Sequence, residues 1–510
     1  MIPRPIIGLI GMALGVAMVE ANDQVVAFMI HDFEAYWGTG ADGGKWVESL
    51  FLTGLCIGMT QAPWWSETVS YKYWAVFAVT LACLTTIIMP FAPNIEALYA
   101  LRFVQGIAEG FTLPLLMEVA LMVLPPPVRL YGLCIYGLTI TFTAPFAIFW
   151  AGLWGELVGW KWQMYAALPL SIAPLALIIY GMPKTPVHLS RLNKYDWSGT
   201  LLAIIAFGAF STMLYHGTRL DWFESKLICV LALITVIAFP LFVINELLVP
   251  APLMGLRLLK RRDLAFALPS LFLFIIYTAA GTFVPVGVLG SVQDYKPLQA
   301  WPLGLVLGLG QFITLPATAW LLDHRSVDPR WVIAIGLLLS CTACLLDSQM
   351  TSSWGWWQFM PSQVLLMIGE PMVILTILMI GTNNLTPEEG PGGSAIVNTT
   401  RAFGECTTSW LLGLVQFYRS SHHYNRLVDH QGGESYVPAQ LAPYMPISDA
   451  PRGAFGGFDM YMNEFGRQLS VLTTADVYRV LAMLPVAIFL YMMVMATRTY
   501  PPRILLAGKY

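Results

Sequence analysis

The stretch EALYALRFVQGIAEGFTLPLLMEVALMVL (residues 96–124) decides the fold, because it is long, mostly apolar and interrupted by only a few charges. As an α-helix rising 1.5 Å per residue, it can cross the roughly 30 Å hydrocarbon core of a bilayer. Similar apolar runs recur along the chain, which is 57% hydrophobic and 11% charged, whereas soluble domains carry about 25% charged residues. The sequence therefore predicts an all-α membrane protein embedded in a lipid bilayer.

The apolar runs predict fourteen spans, and an even number of spans places both termini on one side of the membrane. The predicted spans are residues 5–30, 45–65, 72–92, 96–124, 129–154, 163–182, 197–216, 226–248, 264–289, 300–322, 331–346, 356–382, 392–417 and 475–497. Lys and Arg concentrate in the alternate short loops that share a side with the termini. Because positive loops favour the cytoplasm, we expect both termini to be cytoplasmic.

Two polar connections divide the predicted spans into six, two and six. They bracket spans seven and eight, so we expect an N-terminal six-helix bundle (1–196), an inserted helix pair (197–250) and a C-terminal six-helix bundle (251–510). The C-terminal part contains a long hydrophilic segment at 418–474, predicted to lie on the external, periplasmic side. This segment is interpreted either as a solvated loop with a surface helix or as a docking site for an external partner.

Several classes of function are disfavoured by composition and missing motifs. The net charge of −3 and the scattered basic residues argue against a nucleic-acid partner. The chain has no Gly-x-x-x-x-Gly-Lys phosphate loop, which argues against an ATP-driven pump. The seven cysteines all fall inside predicted spans and the histidines in loops or at span ends, so no metal site and no bound cofactor are predicted.

Charged side chains occur deep inside two predicted spans, where each costs about 2.5–3.5 kcal/mol to insert. Asp23 in the first span and Arg102 in the fourth lie at about the same depth, roughly 10 Å below the outer surface. Glu20 lies three residues before Asp23, and Glu109 lies seven residues after Arg102, so each acid shares a helical face with its neighbour. If the two spans face each other, three carboxylates share one guanidinium and cannot all be ionised together. We interpret this group as a proton-coupling site rather than a static ion pair.

Other buried polar residues are candidates for the wall of a substrate cavity. Glu118 lies near the inner end of the fourth span, and Glu370 lies mid-span before the helix-breaking Pro371. Arg401 and Glu405 are spaced i,i+4, which is equally consistent with a pair that stabilises its own helix. Ionisable residues at such depth are candidates for a transport pathway.

Two motifs on these helices have a recognisable form. ANDQVVAFMI (21–30) places Asp23 before a run of small and β-branched residues, and LRFVQG (101–106) contains an Arg-x-x-Gln-Gly motif with Arg102 and Gln105. Each motif alone is a weak signal.

Two further motifs follow in order along the chain. They are YHGTRLDWFES (215–225), between the inserted spans, and LTPEEGPGGSAIVNTTRAFGE (385–405), which includes Asn398 and Arg401. With these four motifs in order and this topology, the chain resembles the EmrB/QacA group of fourteen-span drug:proton antiporters in the major facilitator superfamily.

The resemblance implies a major facilitator fold, with two six-helix bundles plus two inserted helices around a central cavity, and alternating access. It implies multidrug export of small amphipathic or lipophilic compounds from the bacterial inner membrane, driven by inward proton movement and not by a cofactor. In this group it also implies a periplasmic EmrA-like adaptor, a membrane fusion protein, and an outer-membrane channel. Asp23, Glu20, Glu109 and Arg102 become candidates for proton coupling. The wall candidates are Glu118, Glu370, Asn398, Arg401 and Gln105.

The chain departs from the group's pattern at two places. The second-to-third loop reads QAPWWSETVSYKYW (61–74) instead of a Gly-rich motif containing Arg, and the fifth-span Gly-Pro motif is degraded around Pro145. These departures affect the expected gate more than the expected proton site.

Two alternatives to drug export remain. The first is an exporter of an endogenous lipid, siderophore or organic acid, of which a strictly anionic substrate fits least well with the excess of buried acids. The second is an integral-membrane lipid-modifying enzyme, a function that would require catalytic side chains clustered at one water interface.

Overall fold

The computed structural model describes residues 3–324, 326–383, 385–386, 388–430 and 454–494. In these ranges the regular structure is helical, which confirms the predicted all-α architecture. The α-helices of this part of the chain are α1 (Arg4–Phe28), α2 (Ile30–Trp37), α3 (Ala41–Val69), α4 (Tyr71–Ile88), α5 (Ile95–Val123), α6 (Arg129–Thr141), α7 (Thr143–Leu157), α8 (Trp160–Gly181), α9 (Trp197–Gly217), α10 (Lys226–Leu248), α11 (Arg262–Thr278), α12 (Phe283–Gln293), α13 (Trp301–Asp323), α14 (Pro329–Asp347), α15 (Met360–Thr382), α16 (Gly390–His430) and α17 (Ala454–Met493).

Eleven helical segments of the described chain are long and apolar enough to cross a membrane, counting α11 with α12 as one. The pair α6 and α7, bent by 44°, would make a twelfth. The other two long helices, α3 with 29 residues and α16 with 41, are more polar. They complete the number fourteen if both cross the bilayer, so the predicted number of spans stays a prediction.

The close packing of α3 on α5 explains how a polar helix is accommodated inside the bundle. A Cβ atom on Gly54 of α3 would collide with the carbonyl oxygen of Phe103, and one on Gly106 of α5 would collide with that of Phe51. Glycine therefore lets the two backbones touch, as in other small-residue membrane interfaces. This contact sets the position of α5, which carries Arg102.

The inserted pair α9 and α10 packs over the interface between α3 and α16. The hydroxyls of Thr53 on α3 and Ser211 on α9 are hydrogen-bonded, and the ring of Phe207 on α9 lies 5.3 Å from that of Phe403 on α16. The pair thus contacts helices from both halves of the chain, α1–α8 and α11–α17. The predicted boundaries at 196 and 250 remain a prediction.

The two sides of the bundle differ, and contacts between helix ends define them. The terminal side is where α1, α4 and α16 begin and where α3, α5 and α8 end. The backbone of Gly8 at the start of α1 touches that of Gly181 at the end of α8. The hydroxyl of Ser394 at the start of α16 donates to the carbonyl of Pro114 in the second half of α5, at 2.6 Å. Which side faces the cytoplasm stays a prediction.

The segment predicted as a long external loop, 418–474, is helical at both of its ends. α16 continues to His430 and α17 begins at Ala454, while residues 431–453 lie outside the described residues. Asp476 of α17 joins the two helices by accepting from Arg419 Nε at 2.5 Å and contacting His423 Nε2 at 2.7 Å. Polar composition suggested a loop here, but polar helices are stable where side-chain pairs and packing support them.

Candidate functional site: a charged cavity between the two halves

A cavity of about 890 Å³ lies between the two halves, on the side opposite the terminal side. Helices from both halves and α9 of the inserted pair contribute to its wall. The ionisable Asp, Glu and Arg side chains of the wall are Asp23, Glu48, Arg102, Glu370, Arg401 and Glu405.

Arg102 is held in place by three helices. Its Nη2 donates to Asp23 Oδ1 of α1 at 2.8 Å, and its Nη1 donates to Gln105 Oε1 at 2.7 Å. The guanidinium carbon lies 4.2 Å from the centre of the Phe51 ring on α3. Arg102 is only 1% exposed, and charge-assisted bonds of this kind are what make a buried guanidinium tolerable. The structure thus brings Asp23 and Arg102 together at one depth, as the sequence predicted.

Glu20 does not share Arg102, and in this respect the sequence-based expectation is wrong. Its Oε1 accepts from Arg401 Nη2 of α16 at 2.5 Å, and its Oε2 accepts from the Thr143 hydroxyl at 3.1 Å. At 3.6 residues per turn, Glu20 and Asp23 point about 60° apart around α1. That angle turns Glu20 away from α5 and toward the opposite half.

Arg401 does more than stabilise its own helix. The i,i+4 bond between Arg401 Nε and Glu405 Oε1 is present at 3.0 Å, but the same guanidinium also holds Glu20 of the other half. One arginine thus connects two carboxylates on different halves of the protein.

Glu109 lies close to members of both ion pairs and has no salt bridge of its own within the described ranges. It is 4% exposed, and its Oε2 has no hydrogen-bond partner there. Asp23 and Glu20 on α1 and Arg401 on α16 are near enough to interact with its charge. The site therefore contains two arginines and a chain of carboxylates, rather than one arginine shared by three acids.

Three of the wall candidates lie elsewhere in this conformation. Asn398 accepts a 2.8 Å bond from the Tyr136 hydroxyl, and its Nδ2 donates to the carbonyl of Ser394, one helical turn nearer the terminal side, at 2.9 Å. Gln105 supports Arg102 and donates to Thr86 at 3.1 Å. Glu118 is not part of the cavity wall either. Depth along a helix is readable from the sequence, whereas the direction a side chain faces depends on its neighbours.

Glu118 is buried and fully engaged near the terminal side. It accepts 2.7 Å and 3.0 Å bonds from the hydroxyls of Tyr71 on α4 and Ser66 on α3. It therefore fastens the end of α5 to its neighbours, about 24 Å along the helix from Arg102.

The connection between α3 and α4 also shows how the chain replaces the expected gate motif. Ser70 has φ 103°, and its hydroxyl accepts bonds from the backbone N–H and hydroxyl of Thr185 at 3.2 and 3.1 Å. Glu67 and Arg191 form an ion pair at 2.7 Å. Both links join this turn to the segment after α8, within one half of the protein.

Glu48 and Glu370 are the remaining acids in the cavity wall. Glu48 was missed by the sequence analysis because it lies close to the predicted start of its span, where a charge is expected at the interface. Glu370 was predicted as a wall residue, and it lines the cavity in this conformation.

A central cavity between two helical halves, lined by paired and unpaired buried charges, is the architecture of a secondary transporter. The chain belongs to the Major Facilitator Superfamily, whose family model matches residues 12–408. The chain is therefore a membrane transporter of that superfamily.

Relatives of known name agree with the resemblance seen in the motifs. The chain is 22% identical to the multidrug export protein EmrB of Escherichia coli K12 over 82% of each chain. It is 22% identical to the colistin resistance protein EmrB of Acinetobacter baumannii, over 77% of this chain and 76% of that one. It is 26% identical to the lincomycin resistance protein LmrB of Bacillus subtilis, over 71% and 75%.

Solved structures share the fold at low sequence identity. A POT family transporter in complex with a thioalcohol-conjugated peptide is 12% identical, with a TM-score of 0.60 over 96% of both chains. The proton:xylose symporter XylE is 12% identical, with a TM-score of 0.58 over 98% of this chain and 97% of that one. These likenesses support the major facilitator fold.

Proposed function

We propose that this transporter is a proton-coupled exporter of small amphipathic or lipophilic compounds across the inner membrane. The proton gradient, rather than a bound cofactor, supplies the energy. Relatives named for multidrug export and for antibiotic resistance support the efflux part of this proposal.

The single observation that carries the proposal is a buried cluster in which carboxylates outnumber guanidinium groups. Charges removed from water cannot all remain ionised unless each is compensated. The surplus carboxylates are therefore protonated in at least part of the transport cycle. The acidic members are the buried Asp23, Glu20 and Glu109 and the partly exposed Glu405, and the basic members are the buried Arg102 and Arg401.

The position of the ion pairs supplies a coupling mechanism. The bond between Glu20 and Arg401 ties α1 to α16, and so one half of the protein to the other. A proton on Glu20 removes the charge that holds Arg401 and weakens this tie. Asp23, which lines the cavity beside Arg102, receives the proton first from the open side and passes it on through Glu109. Proton binding thereby favours the alternate arrangement of the two halves.

The cavity also suits the proposed substrates. Its volume of about 890 Å³ lies within the roughly 300–1,000 Å³ range of small-molecule sites. Apolar wall residues such as Phe51, Ile275 and Phe283 provide a surface for lipophilic groups.

Transport in proteoliposomes tests the proposal. Wild-type protein is expected to move a lipophilic compound when a pH gradient is imposed and to stop when a protonophore collapses it. D23N is expected to lose gradient-driven transport, because an amide cannot release a proton, yet to retain gradient-free exchange of substrate. D32N, at an exposed aspartate of α2, is the matched control and should behave as wild type.

Undiminished gradient-driven transport by D23N would contradict the coupling site. Transport by the wild-type protein that is insensitive to the protonophore would contradict proton coupling altogether.

We further propose that the segment between α16 and α17 contacts an EmrA-like periplasmic adaptor, which in turn meets an outer-membrane channel. Both helices extend beyond the cavity toward the side predicted to be external. Replacing residues 431–453 with a short Gly/Ser linker, while keeping the Asp476 contacts, should abolish co-purification with the adaptor. Transport in proteoliposomes should persist, and adaptor binding that survives the replacement would refute the docking role.

A further inference from the structure

Glu370 differs from the other buried acids of the cavity in having no counter-charge. It lies in the middle of α15, is 2% exposed, and lines the cavity. Its Oε1 is buried without a hydrogen-bond partner, and no Lys, Arg or His among the described residues forms an ion pair with it. A buried carboxylate in this condition is costly unless a proton or a cation neutralises it.

The position of Glu370 is fixed by close helix packing. Gly369 beside it packs backbone to backbone against Gly336 of α14, and Pro371 follows directly. The Tyr277 hydroxyl of α11 and the Cys344 thiol of α14 are near enough to interact with its charge, and neither supplies a positive charge. The site is therefore a rigid wall with one acid and no base.

The two arginines of the cavity do not compensate this acid, because each is already bound to carboxylates. Arg102 bonds to Asp23, and Arg401 bonds to Glu20 and Glu405. Glu48, the other wall acid without an ion pair in the described part of the chain, is only partly buried, and Arg102 and Lys45 lie near enough to interact favourably with its charge. A positive group entering the cavity thus finds its strongest uncompensated partner at Glu370.

The surroundings of this acid suit a cation with an apolar body. Ile275, Thr278 and Thr282 line the adjacent wall of α11 and its end, and Phe283 and Val284 continue it on α12. Apolar contacts bind the body of such a ligand, while the carboxylate pairs with its charge in a low-dielectric site.

We propose that Glu370 is the counter-charge of a subsite for lipophilic monocations in the wall of the C-terminal half. The proposal rests on the transport function proposed above and specifies one class of ligand and its anchor. A neutral compound of the same shape uses the apolar wall but gains nothing from the carboxylate.

Equilibrium binding to the purified full-length protein in detergent tests the subsite. The two probes are tetraphenylphosphonium, a permanent cation, and triphenylphosphine oxide, a neutral compound of similar shape. E370Q should weaken binding of the cation by roughly 10- to 100-fold and leave the neutral compound within about 2-fold. E388Q is the matched control, since it removes an exposed acid outside the cavity wall, and it should leave the affinity for the cation within about 2-fold of wild type.

E370D is the control for disturbed packing. It keeps the negative charge and should retain most of the affinity for the cation. Equal loss of both probes in E370Q, with E370D also impaired, would show a packing role and overturn the subsite. Unchanged cation affinity in E370Q would also overturn it.

The same protein in proteoliposomes separates this subsite from the proposed function. Selective loss of cation binding in E370Q, together with wild-type transport that ignores a pH gradient, would support the subsite and refute proton coupling. Gradient-driven transport of the neutral compound with unchanged cation binding in E370Q would support coupling and refute the subsite.

Discussion

Two glutamates on α5 lie in different regions of the molecule and differ in how their carboxylates are bonded. Glu118, near the terminal side, is buried but accepts bonds from Tyr71 and Ser66. Glu109, near the cavity, is equally buried but has an oxygen without a partner among the described residues and lies close to members of two ion pairs. Burial alone does not mark a functional acid, because a satisfied carboxylate serves structure. An unsatisfied carboxylate among other charges is the one available to exchange protons.

The largest expected effect is that of E109Q, which removes the central carboxylate of the cluster. We expect gradient-driven transport to fall to the level of protein-free liposomes, because the amide cannot bind and release a proton. Exchange of substrate without a gradient should persist. E96Q, at an exposed position at the start of the same helix, is the control. Full gradient-driven transport by E109Q would remove this residue from the coupling pathway.

The next largest effect is expected for E20Q, which breaks the ion pair between the two halves. Arg401 keeps its bond to Glu405, so only one ion pair is lost. We expect the contact between α5 and α16 on the terminal side to become less stable by about 1–3 kcal/mol. Hydrogen–deuterium exchange should then increase in α5 around Pro114 and in α16 around Ser394, which meet in that contact. Exchange that matches wild type in both segments would show that the pair does not hold the halves together.

The contrast between Asp23 and Glu20 shows what the sequence could and could not predict. The depth of Asp23 and Arg102 follows from helix rise and span ends, and the structure joins them at 2.8 Å. The partner of Glu20 is Arg401, 381 positions away, on a helix whose place depends on the packing of the whole bundle. Helical rise gives depth, whereas long-range packing decides which helix a side chain meets.

The same limit applies to the wall of the cavity. Glu370 was predicted as a wall residue because a charge in mid-span is costly, and it lines the cavity. Asn398 and Glu118 are just as buried, but their partners Tyr136 and Tyr71 come from other helices and turn them into structural contacts. Such partners cannot be identified from spacing along one helix.

A smaller effect is expected for E118Q, which removes the glutamate of α5 that we assign a structural role. The amide can replace only part of the bonding to Tyr71 and Ser66, so we expect a loss of stability of about 1–3 kcal/mol. The thermal midpoint in detergent should fall, whereas the ratio of protons to substrate transported should stay at the wild-type value. A changed ratio would place Glu118 in the coupling pathway.

The smallest effect is expected at the partly exposed pair of Arg261 and Glu389, before α16. The backbone N–H of Thr386 and the guanidinium of Arg261 hold the pKa of Glu389 below its ordinary value. The contact is therefore complete at neutral pH and is lost only as the pH falls through that lowered pKa. E389Q should cost about 0.2–1 kcal/mol at neutral pH in thermal unfolding, and the exposed E388Q is the control. Equal midpoints for the two variants would show that the pair contributes nothing.

The most direct measurement of the central claim is the proton released when substrate binds to purified protein in weakly buffered solution, followed with a pH-sensitive dye. If the surplus carboxylates around Arg102 and Arg401 exchange protons for substrate, wild type and E96Q will release protons on substrate addition and E109Q will release fewer or none. Equal proton release from wild type and E109Q, at equal substrate binding, would contradict the account.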